Sequence, residues 1–217
     1  MRYLKQKSGG FGFTIIELMI ATVVFSVVLL VCLAAFLQVG RLFYKGVNLS
    51  LTQDDTRDMV SSISNDIRFS KNAPITNNMA TPNGYFCIGL HRYKYMLGNH
   101  LYLGSENFSS NYGLVKEEIS AGCPSPSVPG SGSNPTELLG NSMQLNDLAV
   151  GCINTQCNVH VHVVFYGDDN TVFESPSHLG YTPSQALTAP DANCTGALSG
   201  SQYCATADFA TTVLQIF

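Results

Sequence analysis

The stretch GGFGFTIIELMI, residues Gly9–Ile20, holds one carboxylate, Glu17, among residues that are otherwise apolar or neutral. A charge at the middle of a hydrocarbon layer costs about 2.5–3.5 kcal/mol, and less near an end. The chemistry open to Glu17 is therefore pairing with a cation. The cysteines are the second reactive set, seven in all. Cys32 sits inside an apolar run and reads as a small apolar residue. The other six form an even set, which fits disulfides in an oxidising compartment. Sequence does not fix their connectivity; pairing of nearest neighbours gives Cys87–Cys123, Cys152–Cys157 and Cys194–Cys204. Cys152 and Cys157 with His160 and His162 also stand near a zinc-ligand spacing. Against zinc, the histidines fall on strand positions and the compartment favours oxidation. His91, His100 and His178 are isolated, and the adjacent pairs Glu117-Glu118 and Asp168-Asp169 do not read as acid–base dyads. No Gly-x-Ser-x-Gly, phosphate loop or HExxH occurs. The expectation is a chain with no catalytic residue, no metal and no cofactor.

The elements that carry these residues begin with a long apolar segment. Leu18 to Leu37 is a run of 20 residues without charge, and Phe13–Ile16 extends it. As a helix it spans about 30 Å, the thickness of a bilayer core. Arg2, Lys5 and Lys7 precede it with no acid among them, while Arg41 and Lys45 follow. Positive residues stay cytoplasmic, so the C-terminal body is placed outside. A cleaved secretory signal accounts poorly for the segment, because its apolar core is too long and contains Glu17. A plain membrane anchor gives the carboxylate no use. A partner exists if the chain is cut between Gly12 and Phe13: Phe13 then carries a cationic amine one helical turn from Glu17. That amine, or the amine of a neighbouring copy in a packed array, neutralises the acid.

The stretch GFTIIELMIATVVFSVVLL resembles the N-terminal processing motif of type IV pilins and of the related type II secretion pseudopilins. The resemblance covers about thirty residues directly and the remainder only in outline. It implies a leader, residues 1–12, removed by a prepilin peptidase that also methylates Phe13. It implies that Glu17 aligns an incoming subunit with one already in the filament. Two junctions are available, Gly10-Phe11 and Gly12-Phe13, and only the second places Glu17 fifth in the mature chain. Loss of the leader removes three basic residues and no acid, taking the net charge from −4 to about −7 before the new amine is counted. Such a chain has no basic field for nucleic acid.

The helix is expected to run on through residues 13–72. Met59, Val60, Ile63 and Ile67 recur at helical spacing while Asp55, Asp58, Ser62 and Asp66 fall on other faces. An apolar stripe of this kind needs a cover, and a sheet is the simplest one. Gly40 and Gly46 are weak points where the rod is expected to bend or unwind; NAPITNN, with Pro74, stops it. Residues 73–217 form the β-rich head. GYFCIGLHRYKYMLG reads as a strand with NHLYLGS as its return. In NVHVHVVFYGDDNTVFES, Val159, Val161, Val163 and Phe165 share one face, His160, His162, Val164 and Tyr166 the other, and GDDN is the turn of a hairpin. ATTVLQIF closes the sheet, and Gly122–Glu137 is an exposed Pro/Gly/Ser loop. Tyr93, Tyr95 and Tyr102 are read as lining the sheet rather than forming a ligand surface. The sequons at Asn48, Asn107 and Asn193 are short enough to arise by chance.

These readings combine into an α+β fold of the type IV pilin kind: a long N-terminal helix, membrane-spanning in its first half, packed on an antiparallel sheet with disulfide-stapled loops. The implied function is a pilus filament subunit. Size and long tied loops favour a minor one with a structural, priming or adhesive role. A type II secretion pseudopilin, or a membrane-tethered ligand-binding ectodomain outside any filament, are the alternatives. The implied partners are other pilin subunits, the prepilin peptidase, the assembly platform, the inner or cytoplasmic membrane before assembly, and a cell-surface ligand for the head. The location is the cytoplasmic membrane first and an extracellular filament afterwards.

Overall fold

The computed structural model describes residues 13–72, 74–77, 83–101, 104, 107–120, 122–125, 132–165 and 204–216. One helix, α1 (Ile15–Phe69), precedes eight strands: β1 (Ile75–Asn77), β2 (Asn83–Ile88), β3 (His91–Met96), β4 (Leu114–Glu118), β5 (Ser133–Glu137), β6 (Met143–Ile153), β7 (Gln156–Phe165) and β8 (Ala205–Leu214). The chain divides into two compact units, Met1–Leu42 and Phe43–Phe217, with the boundary inside α1.

In the first unit α1 is long and apolar enough to cross a membrane. Its large apolar side chains, from Phe13 to Leu42, are all exposed. Covering each one is worth about 1.5–3 kcal/mol, so this surface demands lipid or another helix. The polar residues in it are internally satisfied. Thr22 Oγ1 donates to the Met19 carbonyl at 2.9 Å and Ser26 Oγ to the Thr22 carbonyl at 2.8 Å. α1 does not unwind at Gly40 or Gly46 in this single chain: it is helical through both. One glycine costs about 1 kcal/mol, less than the flanking helical hydrogen bonds that a break would forfeit.

In the second unit α1 buries Thr52, Thr56, Met59, Val60, Ile63, Ser64 and Ile67, a stripe at steps of three and four. The buried hydroxyls of Thr52 and Thr56 donate back to the carbonyls of Asn48 and Thr52, at 2.7 and 2.6 Å, so neither is left unsatisfied. The stripe shares one core with residues from two sheets, among them Phe86, Tyr93, Tyr95, Val159, Val161 and Val163. Phe86 and Tyr93 stack with ring centroids 5.0 Å apart.

The head holds two antiparallel sheets where one was expected. β1 to β5 form a five-stranded sheet in chain order, and β6, β7 and β8 form a second. The first sheet ends at β5, which contains Pro135 and is exposed along most of its length. Proline lacks the amide a further strand would need, so it belongs on an edge. Three readings of the sequence change accordingly. Residues Ser133–Glu137, assigned to the loop, pair with β4. Ile75–Asn77, read as part of a helix stop, pair with β2. The stretch GYFCIGLHRYKYMLG is not one strand but the hairpin β2–β3, turned at Gly89-Leu90 with Gly89 at φ +59°. β3 then pairs with β4 rather than with NHLYLGS. In that segment His100 bridges to Gln144, and Leu101 exchanges backbone hydrogen bonds with Met143 and Ser142.

β6 and β7 are joined by a two-residue turn, Asn154-Thr155, with Asn154 at φ +56°. Asparagine tolerates the left-handed region, which two-residue hairpin turns demand. β7 is flanked by β6 and β8; GDDN and the strand expected to follow it lie outside the described residues. Val159, Val161 and Val163 face the core as expected, but His160 and His162 on the opposite face are buried as well.

Candidate functional site

Glu17 is positioned by the start of α1. Its Oε2 accepts from the Thr14 amide and from Thr14 Oγ1, both at 2.9 Å, and the Glu17 amide donates to Thr14 Oγ1 at 3.3 Å. Thr14 is the N-cap and Glu17 the third helical residue, the reciprocal arrangement of a capping box. The spacing Thr-x-x-Glu is legible in the sequence, and reading Glu17 only as a partner for an amine missed it. Oε1 carries no hydrogen bond among the described residues. Phe13 is 86% exposed directly before the cap. Glu17 also borders a shallow groove with Ile20, Ala21, Val24, Phe25 and Val28. Capping therefore uses one carboxylate oxygen and leaves the other without a hydrogen bond at the border of this groove. Gly12 lies outside the described residues.

The cysteines stabilise the head. Cys87 is bonded to Cys123 and Cys152 to Cys157. The first bond joins β2 to the start of the Pro-rich stretch; the second links directly opposed residues beside the Asn154-Thr155 turn. Sulfurs bonded to each other are not thiolate ligands, which removes the zinc arrangement with His160 and His162. Cys204 is disulfide-bonded, and Cys194, its expected partner, lies outside the described residues. Cys32 is free and exposed.

Three ionic centres, of which only that of Glu117 is buried throughout, were not visible in the sequence, because each joins strands or a helix that are distant along the chain. Asp66 on α1 accepts from Tyr93 Oη at 2.6 Å and pairs with His91 Nδ1 and Lys116 Nζ, each at 2.8 Å. Burial first, and the Asp66 charge second, push the Tyr93 phenol far above its ordinary range. Glu117 on β4 pairs with Arg92 and Lys94 of β3, and all three are buried. Burial alone would raise its pKa, but the hydrogen bonds from Lys94 and Arg92 outweigh burial and hold it below the usual range. Arg92 Nη1 also donates to the Pro124 carbonyl at 2.9 Å, tying the base of the Pro-rich stretch to the sheet. His160 on β7 lies between Asp147 of β6, 3.3 Å from Nδ1, and Asp208 of β8, 2.6 Å from Nε2. Each centre is an internally compensated set of charges, which orders neighbouring elements. None holds a nucleophile beside a base.

Tyr93 and Tyr95 are fully buried in the core. Tyr102, His178, Asp168 and Asp169 lie outside the described residues. Compared with known proteins, no family model, no curated protein and no solved structure matches this chain.

Proposed function

We propose that this chain is a subunit of a type IV pilus-like filament, processed between Gly12 and Phe13 and assembled through the first part of α1. The observation that carries this reading is Glu17: a carboxylate one turn into a helix whose apolar side chains through Leu42 are all exposed, with one oxygen free of hydrogen bonds among the described residues. A processed neighbour supplies both things that surface lacks, a helix to cover it and an amine for Oε1. The β-rich unit with its disulfides is suited to an oxidising exterior. The length of the chain and its tied loops favour a minor, specialised subunit over the main one. Its abundance in sheared filaments decides that point.

A membrane-tethered ectodomain is the second reading, favoured by the capping box, which gives Glu17 a purely local role. Two substitutions separate the readings. Glu17→Gln keeps a side chain able to cap but removes the charge; Glu17→Ala removes both. Filament assembly requires that both variants accumulate in the membrane yet fail to enter filaments. If Glu17→Gln incorporates like the native chain, charge pairing is wrong. Mass spectrometry of the mature N-terminus is the companion measurement, and a chain retaining Met1 excludes processing.

A further inference from the structure

Among the described residues of the β-rich unit, the exposed large apolar side chains outside α1 are Leu90, Ile153, Leu214 and Ile216, and all four lie at one end. Leu90 is in the β2–β3 turn and Ile153 at the β6–β7 turn. Leu214 and Ile216 are at the end of β8, where the Ile216 amide donates to the Arg68 carbonyl at 3.1 Å. The last residue of α1, Phe69, is 76% exposed at the same end and lines a cavity of about 510 Å³ with Ile88, Leu90 and Lys71. Scattered exposed apolar residues need no explanation, but a cluster confined to one end marks a contact surface. Arg68 and Lys71, both exposed, give it a positive border.

The opposite chemistry lies earlier on the same helix. In the second unit, α1 exposes Val47, Leu51, Asp54 and Asp58 on one face, at steps of four, three and four. Arg57, the cation between those acids, is turned over the Phe209 ring at 5.4 Å. Lys45 lies nine residues before Asp54, roughly 13 Å along the helix and beyond a Debye length of about 8–10 Å. One surface is thus apolar with a basic border, and the other apolar with an acidic one.

We infer that the apolar, basic end formed by Phe69, Leu90, Ile216, Arg68 and Lys71 docks on the Val47–Asp58 face of α1 in a second copy of this chain. Asp54 and Arg68 are 14 residues apart, and Asp58 and Lys71 are 13 apart. At 1.5 Å per residue both pairs meet when parallel copies are staggered by about 20 Å along the helix. Leu51 of the second copy then arrives within a side-chain length of Phe69 and the cavity beside it. The two faces differ, so the contact is head-to-tail and propagates instead of closing on a dimer. The inference rests on the filament reading and names the surface through which copies follow one another.

The test uses the full chain in its membrane, with Cys32→Ser to remove the free thiol. Asp58→Cys and Lys71→Cys are introduced singly and together, and disulfides are formed by mild oxidation. The double variant is expected to give a ladder of covalent multimers, and each single variant none. Asp54→Lys with Asp58→Lys, in otherwise native chains, should lower incorporation into sheared filaments about tenfold. Adding Arg68→Asp and Lys71→Asp should restore it. A double-cysteine variant that enters filaments yet gives no ladder, or a charge-reversed variant that enters them like the native chain, overturns this contact while leaving the filament reading intact. Dimers from a single-cysteine variant without a ladder also overturn it. A native chain that never enters filaments fails the filament reading itself.

Discussion

At the scale of a residue, the charge state of His160 is set by its surroundings. Both ring nitrogens face carboxylate oxygens, Nδ1 that of Asp147 at 3.3 Å and Nε2 that of Asp208 at 2.6 Å, an arrangement that favours the doubly protonated, cationic ring. Burial opposes that charge, but the hydrogen bonds and charges of the two aspartates outweigh it, and the pKa is pushed up to about 9. The sign follows from linkage. A folded pKa above the unfolded one, roughly 6.5, gives a stabilisation fully present below pH 6.5 and lost as pH rises through 9. Chemical denaturation of the full chain in detergent, read between pH 6 and 9.5, should show falling stability. His160→Gln should flatten that slope, and a slope unchanged by the substitution would place its origin elsewhere. Glu17 teaches a related lesson at this scale, since one side chain both caps a helix and keeps an oxygen available for a charge outside it.

At the scale of an element, the β2–β3 hairpin depends on a missing side chain. Gly84 is opposite Tyr95, and a Cβ at position 84 would fall on the Tyr95 hydroxyl and ring. Tyr95 is fully buried, so it has no open side to move into. Gly84→Ala should therefore destabilise the head by about 1–3 kcal/mol, the usual cost of overpacking. A thermal melt of the β-rich unit within the full chain checks this, and an unshifted transition would mean that the ring adapts. The hairpin also shows why part of the fold was legible and part was not. The stripe Met59, Val60, Ile63 and Ile67 announced its helix because a period of 3.6 survives in sequence. The alternation of β7 was equally plain, since valines recur at every second residue. The Gly89-Leu90 turn was hidden because only one of its two residues is a turn former, and aromatic residues run on either side. β5 was hidden by Pro135 and its serine-rich neighbours, whose composition is that of a loop although their position is that of an edge. β6 begins with polar residues, Gln144, Asn146 and Asp147, which are buried among partners that lie far along the chain. Its apolar alternation, Met143 and Leu145 and then Leu148 and Val150, is broken in phase by the bulge between Leu145 and Asp147. In the candidate site, the acid and its distance from Phe13 could be read directly, whereas the Asp66, Glu117 and His160 centres required the tertiary fold.

At the scale of the whole molecule, an exposed apolar helix and a covalently tied head make different demands on the surroundings. The helix needs lipid or other helices, and the head needs oxidation. The two disulfides formed between described cysteines are unequal in what they hold. Cys87–Cys123 spans 36 residues and Cys152–Cys157 spans 5, the latter across a hairpin already ordered by its ladder. Loop-closure entropy assigns roughly 3–4 kcal/mol to the first and about 2 kcal/mol to the second. Replacing Cys87 and Cys123 together by serine should therefore lower the unfolding midpoint more than replacing Cys152 and Cys157. The reverse ranking in denaturant titrations would show that the hairpin staple, rather than the long closure, governs the stability of the head.

The C-terminal segment has a practical corollary for anyone who labels this protein. Gln215 hangs its side-chain amide on the Asn72 carbonyl at 2.9 Å, and its backbone amide bonds to Thr155. A purification handle or fluorophore fused at the C-terminus would leave the fold from beside Ile216, at the rim where Phe69 and Leu214 are bare. Reporter fusions placed there risk masking the behaviour they are meant to follow, while an epitope inserted at the outward-facing β5 edge would not crowd that rim.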